Sequence, residues 1–422
     1  MSHLTEQHYP SVTELVLSAR ALAAERPGLC RLRQIGASRA GRPLYVLSVG
    51  RAARGVLVVA GAHSNEPVGG PTALHLARQV LDVRALRADT SWHFLLCADP
   101  DGASLHRSFA PRSLLDYHRH FFRPAGPEQP EWAPSVLPPD QLPPETRALL
   151  ALIDEVRPYL QVSLHGTDLG GSWVQLTKDI PGLAEPFAKS AAELHIPIET
   201  STSDAAGWPV SGPGVHVMPE HGTDALFPSL PEDITLSTWH HAHRYGGRTA
   251  IIEVPMWASD LVDDPARHPA PREALRQISR RLRSEALRVE AVLGETEFAD
   301  AEEQALPEGC APLLRASLWA LRLVPGLADD WLRPPPQDAT MTYVSSIDAF
   351  GRRLPLRAAA MLLRILEEAE DRMAPRLERL VAHWSGAFEM RFRARWVPLE
   401  HQVEHQARTV IAAARHACVD HD

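Results

Sequence analysis

Apolar residues in the first 270 positions of the chain form short runs, separated by stretches of helical periodicity. The runs rich in Val, Ile and Leu predict buried strands over residues 44–49, 55–60, 92–97, 160–166 and 249–254. The amphipathic stretches predict helices over residues 11–25, 71–81 and 144–156. Ser11 and Glu14 are spaced as a capping box, which places the start of the first helix. Strands that alternate with helices indicate an α/β fold with a largely parallel sheet.

The pattern changes at about residue 271. Strand patterns nearly vanish, and helical stretches rich in Arg, Glu, Ala and Leu follow over residues 272–293, 312–323, 354–381 and 397–417. A proline-rich break at residues 333–336 interrupts them. We therefore predict an α/β domain over residues 1–270 and an all-helical C-terminal extension over residues 271–422. The extension could cap a site, support a homodimer or complete the core of the first domain.

Polar side chains lie at the ends of two of the predicted strands. His63 and Glu66 come directly after the strand 55–60, and His165 closes the strand 160–166. Because functional residues of such sheets gather at the carboxyl ends of the strands, we expect these side chains to meet. Two imidazoles and one carboxylate around an open fourth position are the ligands of a catalytic zinc ion. The proline-rich residues 124–144 predict an irregular loop, of a length that usually shapes a binding site.

Glu253 is a charged residue inside an apolar run that predicts a buried strand. A buried carboxylate costs several kcal/mol unless it is paired, hydrogen-bonded or protonated. One interpretation is a salt bridge at the end of the strand with an arginine. The other is a general base beside the metal, which would take a proton from the activated water.

Composition narrows the classes of partner and the cellular location. The 422 residues carry a net charge of −9 without a basic run, which argues against nucleic acid and anionic membrane surfaces as partners. No apolar stretch approaches the length of a membrane span. The N-terminal residues lack the basic start and apolar segment of a secretion signal, so we expect a cytoplasmic protein.

Several short motifs together resemble the zinc carboxypeptidase family, which includes the pancreatic carboxypeptidases and their cytosolic relatives. His63 and Glu66 stand in His-Ser-Asn-Glu, His165 in Ser-Leu-His-Gly, and Glu253 in Ala-Ile-Ile-Glu-Val. Residues 38–43 resemble the family's Ser-x-x-Gly-Arg-Pro segment, and residues 99–102 (Asp-Pro-Asp-Gly) are close to its Asn-Pro-Asp-Gly loop. The resemblance covers residues 10–265 and leaves the helical extension outside.

This resemblance implies a mixed, mostly parallel central sheet with helices on both faces. It also implies that His63, Glu66 and His165 bind Zn²⁺, with a water molecule as the fourth ligand. Glu253 would activate that water and later protonate the leaving amine. The implied activity is that of a metallocarboxypeptidase, which cleaves an amide or peptide bond adjacent to a free C-terminal carboxylate. The expected partner is therefore a peptide, or an N-acyl amino acid, with a free carboxylate.

The arginines that bind substrate in the family have no direct match here. The family has an Asn-Arg pair that grips the substrate carboxylate and a further arginine that polarises the scissile carbonyl, but no Asn-Arg pair follows Gly102. Arg119 and Arg123 fit the carboxylate-binding position on different alignments, and Arg107 and Arg112 are candidates for the other position. The alternative for each of them is an ordinary surface arginine.

Two alternative functions are compatible with the sequence, and the role of the histidine-rich residues 239–245 is undecided. The stretch Asp116–Phe121 resembles one found in aspartoacylase and succinylglutamate desuccinylase, which would make the protein an N-acyl amino acid deacylase. A catalytically inactive scaffold that associates through its helices is the third hypothesis. Residues 239–245 (Trp-His-His-Ala-His-Arg-Tyr) could supply a proton donor, bind a polar substrate, hold a second metal, or be solvated loop histidines.

Overall fold

One large sheet forms the centre of the molecule. The computed structural model describes residues 8–107, 110–219, 233–299, 306–307 and 309–418. The strands in this part of the chain are β1 (Cys30–Ala37), β2 (Pro43–Val49), β3 (Arg54–Val59), β4 (Thr90–Leu95), β5 (Leu160–Gly170), β6 (Trp173–Leu176), β7 (Val210–Gly212), β8 (Val215–Val217), β9 (Arg248–Ala258) and β10 (Arg395–Trp396). Their order in the sheet is β1-β2-β4-β3-β5-β9-β6-β8-β7, and β10 pairs with β9.

The sheet is mixed, which confirms the predicted fold class. Parallel pairing joins β4, β3, β5 and β9 in the middle of the sheet and β6 with β8, whereas the other pairs are antiparallel. The sequence pattern did not predict β1, because most of its residues are partly exposed. It also did not predict β7 and β8, which have only three residues each.

Helices cover both faces of the sheet and form most of the C-terminal part. They are α1 (Val12–Glu25), α2 (Gly69–Asp82), α3 (Pro100–Leu105), α4 (Leu114–Arg119), α5 (Ala133–Val136), α6 (Pro144–Val156), α7 (Ala184–Glu193), α8 (Thr238–His241), α9 (Pro271–Leu293), α10 (Ala311–Asp330), α11 (Met341–Glu368), α12 (Ala374–Phe392) and α13 (Leu399–His416). The predicted capping box is present at α1, where Ser11 Oγ accepts from the backbone N–H of Glu14. Within the described residues, no helix has the length and apolar character that a membrane span needs.

The apolar strand β3 is buried on both sides. Val56 and Val58 pack in a cluster with residues of α2 and α13. Leu57 and Val59 pack on the other side with Leu149 of α6. Because successive side chains of a strand point to opposite faces, this continuous apolar run is what two covering layers of helices require.

The hydrophobic core continues across the boundary predicted between residues 270 and 271. Trp257 of β9 lies in the same cluster as Leu282 of α9 and Leu362 of α11. Helix α13 packs on the sheet, where Gln406 Nε2 donates hydrogen bonds to the carbonyl oxygens of His165 and Ile252 over 2.6 and 3.1 Å. The helical extension therefore completes the core of the α/β part, and residues 271–422 do not form a separate core.

Candidate metal centre and active-site cavity

His63 and Glu66 lie on the short connection between β3 and α2. The strand ends at Val59, and the connection turns at Gly61, whose φ of 62° is left-handed. A Cβ atom at this glycine would lie 2.9 Å from Cys97 Sγ, so both the conformation and the close packing favour glycine. The turn places His63 and Glu66 above the carboxyl end of β3.

His165 and Glu253 lie inside long strands, whereas the sequence pattern predicted that they close shorter ones. Strands β5 and β9 pair in parallel from Leu160 to Gly170, and the register sets His165 directly beside Glu253. The pairing of β3 with β5 ends at Val59 and Ser163, so the later residues of β5 and β9 extend beyond β3. The sequence pattern ended the strands early because Gly166 and Pro255 disfavour regular strands.

The structure brings the three predicted metal ligands together. One ligand atom from each of His63, Glu66 and His165 lies within 4.8 Å of the others, and all three side chains are buried. Nδ1 of His63 is 3.1 Å from both carboxylate oxygens of Glu66, and Nδ1 of His165 is 2.9 Å from Glu66 Oε2. Both imidazoles therefore turn the same ring nitrogen towards one carboxylate. We refer to these three residues as the His-Glu-His cluster.

The electrostatics of this cluster favour a cation at its centre. Burial and the neighbouring Arg123 guanidinium lower the pKa of His63 to about 4, so its imidazole is neutral. Burial opposes charge on Glu66 and His165 too, but their attraction for each other holds the pKa of Glu66 well below and that of His165 well above its usual value. The cluster therefore stabilises one positive charge next to a carboxylate, which a divalent ion can replace.

The donor set fits zinc. Two imidazole nitrogens and one carboxylate leave a fourth position open, as in the catalytic zinc sites of hydrolases. Among the described residues no other group of His, Cys, Asp and Glu side chains comes together in this way. His63, Glu66 and His165 would hold the ion.

Glu253 stands beside the cluster and faces the cavity. Its Oε1 lies 3.8 Å from His165 Nδ1, and 13% of its side chain is exposed, compared with 2% for His165. Burial and the charge of Glu66 raise the pKa of Glu253 to about 8. A carboxyl group with a pKa near neutrality, open to solvent at one side, is suited to proton transfer.

Glu131 is a buried partner of His165 that sequence reasoning missed. It lies in the proline-rich segment 124–144, which folds into short helical turns. Its carboxylate lies 3.0 Å from His165 Nε2 and accepts a hydrogen bond from Ser163 Oγ over 2.6 Å. A carboxylate on the far ring nitrogen fixes the tautomer of a metal-binding histidine and raises its basicity. No local pattern marked Glu131, because its partner lies on a distant strand.

Glu131→Gln is expected to weaken zinc binding by about 10–100-fold, because the amide keeps the shape but loses the charge that orients His165. The measurement is zinc affinity by competition with a chromogenic chelator. Glu145→Gln is the matched control, since Glu145 is equally buried but accepts from the backbone N–H of Arg39. Equal zinc affinity of Glu131→Gln and wild type would contradict this prediction.

A cavity of about 590 Å³ lies above the His-Glu-His cluster. The volume is in the range of small-molecule sites. Its lining includes aromatic side chains from both parts of the chain, namely Phe121, Trp132, Trp173, Trp208, Trp239, Trp319 and Phe350. Residues of α10 and α11 line the cavity on the side of the helical extension, which therefore contributes directly to the site.

Of the arginines predicted to bind substrate, the structure brings Arg123 to the site. Its Nη1 donates to Glu66 Oε1 over 3.0 Å, and its Nη2 lies 2.9 Å from His63 Nε2. Arg119 instead pairs with Glu378 of α12 at 2.5 Å and is 44% exposed, because the last turn of α4 directs its side chain to the helical extension. Arg107 and Arg112 are also exposed and do not line the cavity.

Comparison with known families adds to this geometry. The sequence model described as zinc carboxypeptidase matches residues 16–173, which include His63, Glu66 and His165. Residues 16–173 are thus similar in sequence to the zinc carboxypeptidase family. The match confirms the resemblance that the motifs indicated, and it makes zinc the metal of this site. Glu253 lies beyond the matched residues.

Solved structures similar to this chain include two carboxypeptidases. A metallo-carboxypeptidase from Burkholderia cenocepacia is 16% identical, with a TM-score of 0.37 over 58% of this chain and 59% of its own. The carboxypeptidase A from Helicoverpa armigera is 17% identical, with a TM-score of 0.41 over 60% of this chain and 66% of its own. The chain thus spans about three fifths to two thirds of the length of these two proteins. A comparison with curated proteins found no match.

The two motifs that resemble family segments outside the cluster hold each other in place. The carboxylate of Asp101 accepts from Ser38 Oγ over 2.6 Å, from the backbone N–H of Ala40 over 2.9 Å and from Arg42 Nη1 over 2.7 Å. Asp99 caps α3 by accepting from the backbone N–H of Gly102. In this chain both zinc carboxypeptidase motifs therefore have a structural role beside the metal ligands.

The histidines of residues 239–245 do not form a second metal site in the described structure. His241 Nε2 and the hydroxyl of Tyr245 both contact Asp154 of α6, over 2.7 and 2.8 Å. His243 Nε2 lies 2.8 Å from Thr177 Oγ1. These contacts attach the segment to its neighbours, and Trp239 is the residue of the segment that lines the cavity.

Proposed function

We propose that the protein is a zinc-dependent hydrolase that cleaves an amide or peptide bond next to a free carboxylate, as a metallocarboxypeptidase does. The observation that carries this proposal is the position of Glu253. Its carboxylate lies 3.8 Å from Nδ1 of His165, the ring nitrogen that contacts Glu66, and it lines a cavity large enough for a short peptide. A site for one metal ion with an adjacent, partly exposed carboxylate is suited to the hydrolysis of an amide.

Glu253 is the residue that transfers protons during the reaction. Zinc, when bound, lowers the pKa of water to about 7 and polarises a carbonyl group. Glu253 takes the proton from the attacking water and then gives it to the leaving amine. Burial raises the pKa of this carboxyl group above its usual value, which favours the second step, in which the group carries the proton to the leaving amine.

Arg123 supplies positive charge where negative charge develops on the scissile carbonyl oxygen. In the structure its guanidinium donates to His63 Nε2, which requires the proton of His63 to lie on Nδ1. If His63 held the metal through Nδ1, its remaining proton would lie on Nε2, and His63 and Arg123 would both be donors. The Nη2 group of Arg123 would then be available to donate to the substrate.

The test is a panel of short peptides, each supplied with a free and an amidated C-terminus, incubated with zinc-loaded protein and followed by mass spectrometry. We expect loss of the single C-terminal residue from the free-acid members only. Glu253→Gln protein, loaded with zinc in the same way, controls for a contaminating peptidase. No cleavage of any peptide at full zinc occupancy would overturn the proposal.

N-acyl amino acids belong in the same panel. The deacylase hypothesis rested on the stretch Asp116–Phe121, whose arginine, Arg119, lies outside the cavity and pairs with Glu378. Release of the acyl group from these compounds, with all peptides intact, would assign the site to a deacylase instead of a carboxypeptidase.

A further inference from the structure

We propose that Arg357, on helix α11 of the helical extension, binds the free carboxylate of the substrate, and that Asp168 and Arg353 position it. The proposal rests on the proposed function and names the residue that would recognise the acid. It leaves Arg123, which contacts the His-Glu-His cluster, to the scissile carbonyl.

Asp168 fixes two guanidinium groups at the wall of the cavity. This carboxylate is fully buried and lies three positions after His165 on β5. It accepts hydrogen bonds from Arg353 Nε and, over 3.1 Å, from Arg357 Nη2. Both guanidiniums hold the pKa of Asp168 well below its usual value, so the carboxylate stays ionised. Both arginines line the same cavity as Glu253 and Arg123.

Arg357 has fewer anionic and hydrogen-bond partners at this wall than Arg353. Arg353 interacts with Glu199 as well as Asp168, and it also donates to the carbonyl oxygen of Leu169. Arg357 shares Asp168 with Arg353, and its Nε has no hydrogen-bond partner in the described structure although that atom is buried. Because Arg357 shares Asp168 with a second arginine and its side chain lines the cavity, an anionic ligand at this point would complete the compensation of its charge.

Arg357 lies close enough to the His-Glu-His cluster for one substrate to contact the arginine and the cluster at the same time. Its guanidinium lies 4.8 Å from the centre of the Phe121 ring, a cation–π contact. Arg123, two residues after Phe121, contacts Glu66 and His63. One short segment thus carries Arg123 at the metal cluster and supports Arg357 beside it. A planar guanidinium held in this way can meet a carboxylate with two parallel hydrogen bonds.

The structure offers a matched control for this role on the same helix. Arg352 is 17% exposed and Arg357 15%, and Arg352 shares Asp348 with Arg281, as Arg357 shares Asp168 with Arg353. Arg352 does not line the cavity. The change of Arg352 to methionine therefore removes a comparable ion pair without touching the proposed carboxylate site.

The experiment measures binding of N-acetyl-phenylalanine and its amide to the zinc-loaded full-length protein by calorimetry. We expect wild type and Arg352→Met to bind the acid at least tenfold more tightly than the amide. Arg357→Met should lose this preference, and Arg357→Lys should recover part of it. Zinc content and circular dichroism establish that each variant is folded.

Two results would overturn the inference. One is an unchanged acid preference in Arg357→Met, and the other is no preference in the wild-type protein. Loss of the preference on replacing Arg123 alone, with Arg357→Met like wild type, would assign the carboxylate to Arg123. Failure of the proposed function is a separate result, since it would appear as absent hydrolysis of the peptide panel whatever the binding data show.

Discussion

Replacing Glu253 with glutamine is expected to lower kcat by about 10²–10⁴-fold while zinc content stays at the wild-type value. Glutamine has the same shape but cannot accept the proton of the attacking water. The carboxylate of Glu253 stands 3.8 Å from His165 Nδ1 and is not a member of the His-Glu-His cluster, so its loss leaves the three metal ligands in place. The two measurements are zinc stoichiometry by atomic absorption and kcat on a free-acid peptide.

Glu145→Gln serves as the control for this change, because it removes the charge of another buried glutamate that does not line the cavity. Its kcat should stay close to wild type. If Glu253→Gln kept turnover within a few-fold of wild type at full zinc occupancy, Glu253 would have no part in proton transfer.

Replacing His165 with alanine is expected to remove zinc and activity together. Zinc affinity should fall by more than the loss of about 10–100-fold expected on replacing an outer partner such as Glu131, because a direct ligand is removed. The change also leaves the buried carboxylates of Glu66 and Glu131 facing each other's charge without the imidazole between them. His63→Ala should behave in the same way. Zinc per chain after dialysis and peptide hydrolysis are the two measurements.

His243→Ala is the histidine control, because His243 contacts Thr177 and does not line the cavity. It should keep one zinc ion per chain. Far-UV circular dichroism separates loss of the ligand from loss of the fold. A folded His165→Ala protein that still held one zinc ion per chain would exclude His165 from the metal site.

The sequence pattern predicted the longer buried strands of the fold and missed the largely exposed strand β1 and the short strands β6, β7, β8 and β10. Strands β3, β4, β5 and β9 are buried along nearly all of their length and each contains a run rich in apolar residues, so these runs were visible without knowledge of their neighbours. Strand β1 is partly exposed along most of its length and was missed. The single helical stretch predicted over residues 354–381 consists of parts of two helices, α11 and α12. The break between them near residue 370 was missed because it contains no proline or glycine cluster.

Local sequence patterns also marked some residues of the candidate site and not others. His63 and Glu66 are close in sequence and follow an apolar strand, and His165 and Glu253 each lie in one, so local patterns mark all four. The arginines were harder to predict. Arg119 and Arg123 occur in one short stretch with similar neighbours, and only the turn after α4 directs one to Glu378 and the other to Glu66.

The sequence alone predicted the class of fold, the candidate metal ligands and the adjacent carboxylate, because each prediction depends on patterns within a few residues of the chain. Only the tertiary structure showed that Glu131 supports His165 and that α10 and α11 line the cavity. It alone paired Arg357 with Asp168, which lie 189 positions apart. Such contacts depend on how the helical extension packs against the sheet. Packing is non-directional burial of apolar surface, and it leaves no local pattern that tells which distant polar groups it will bring together.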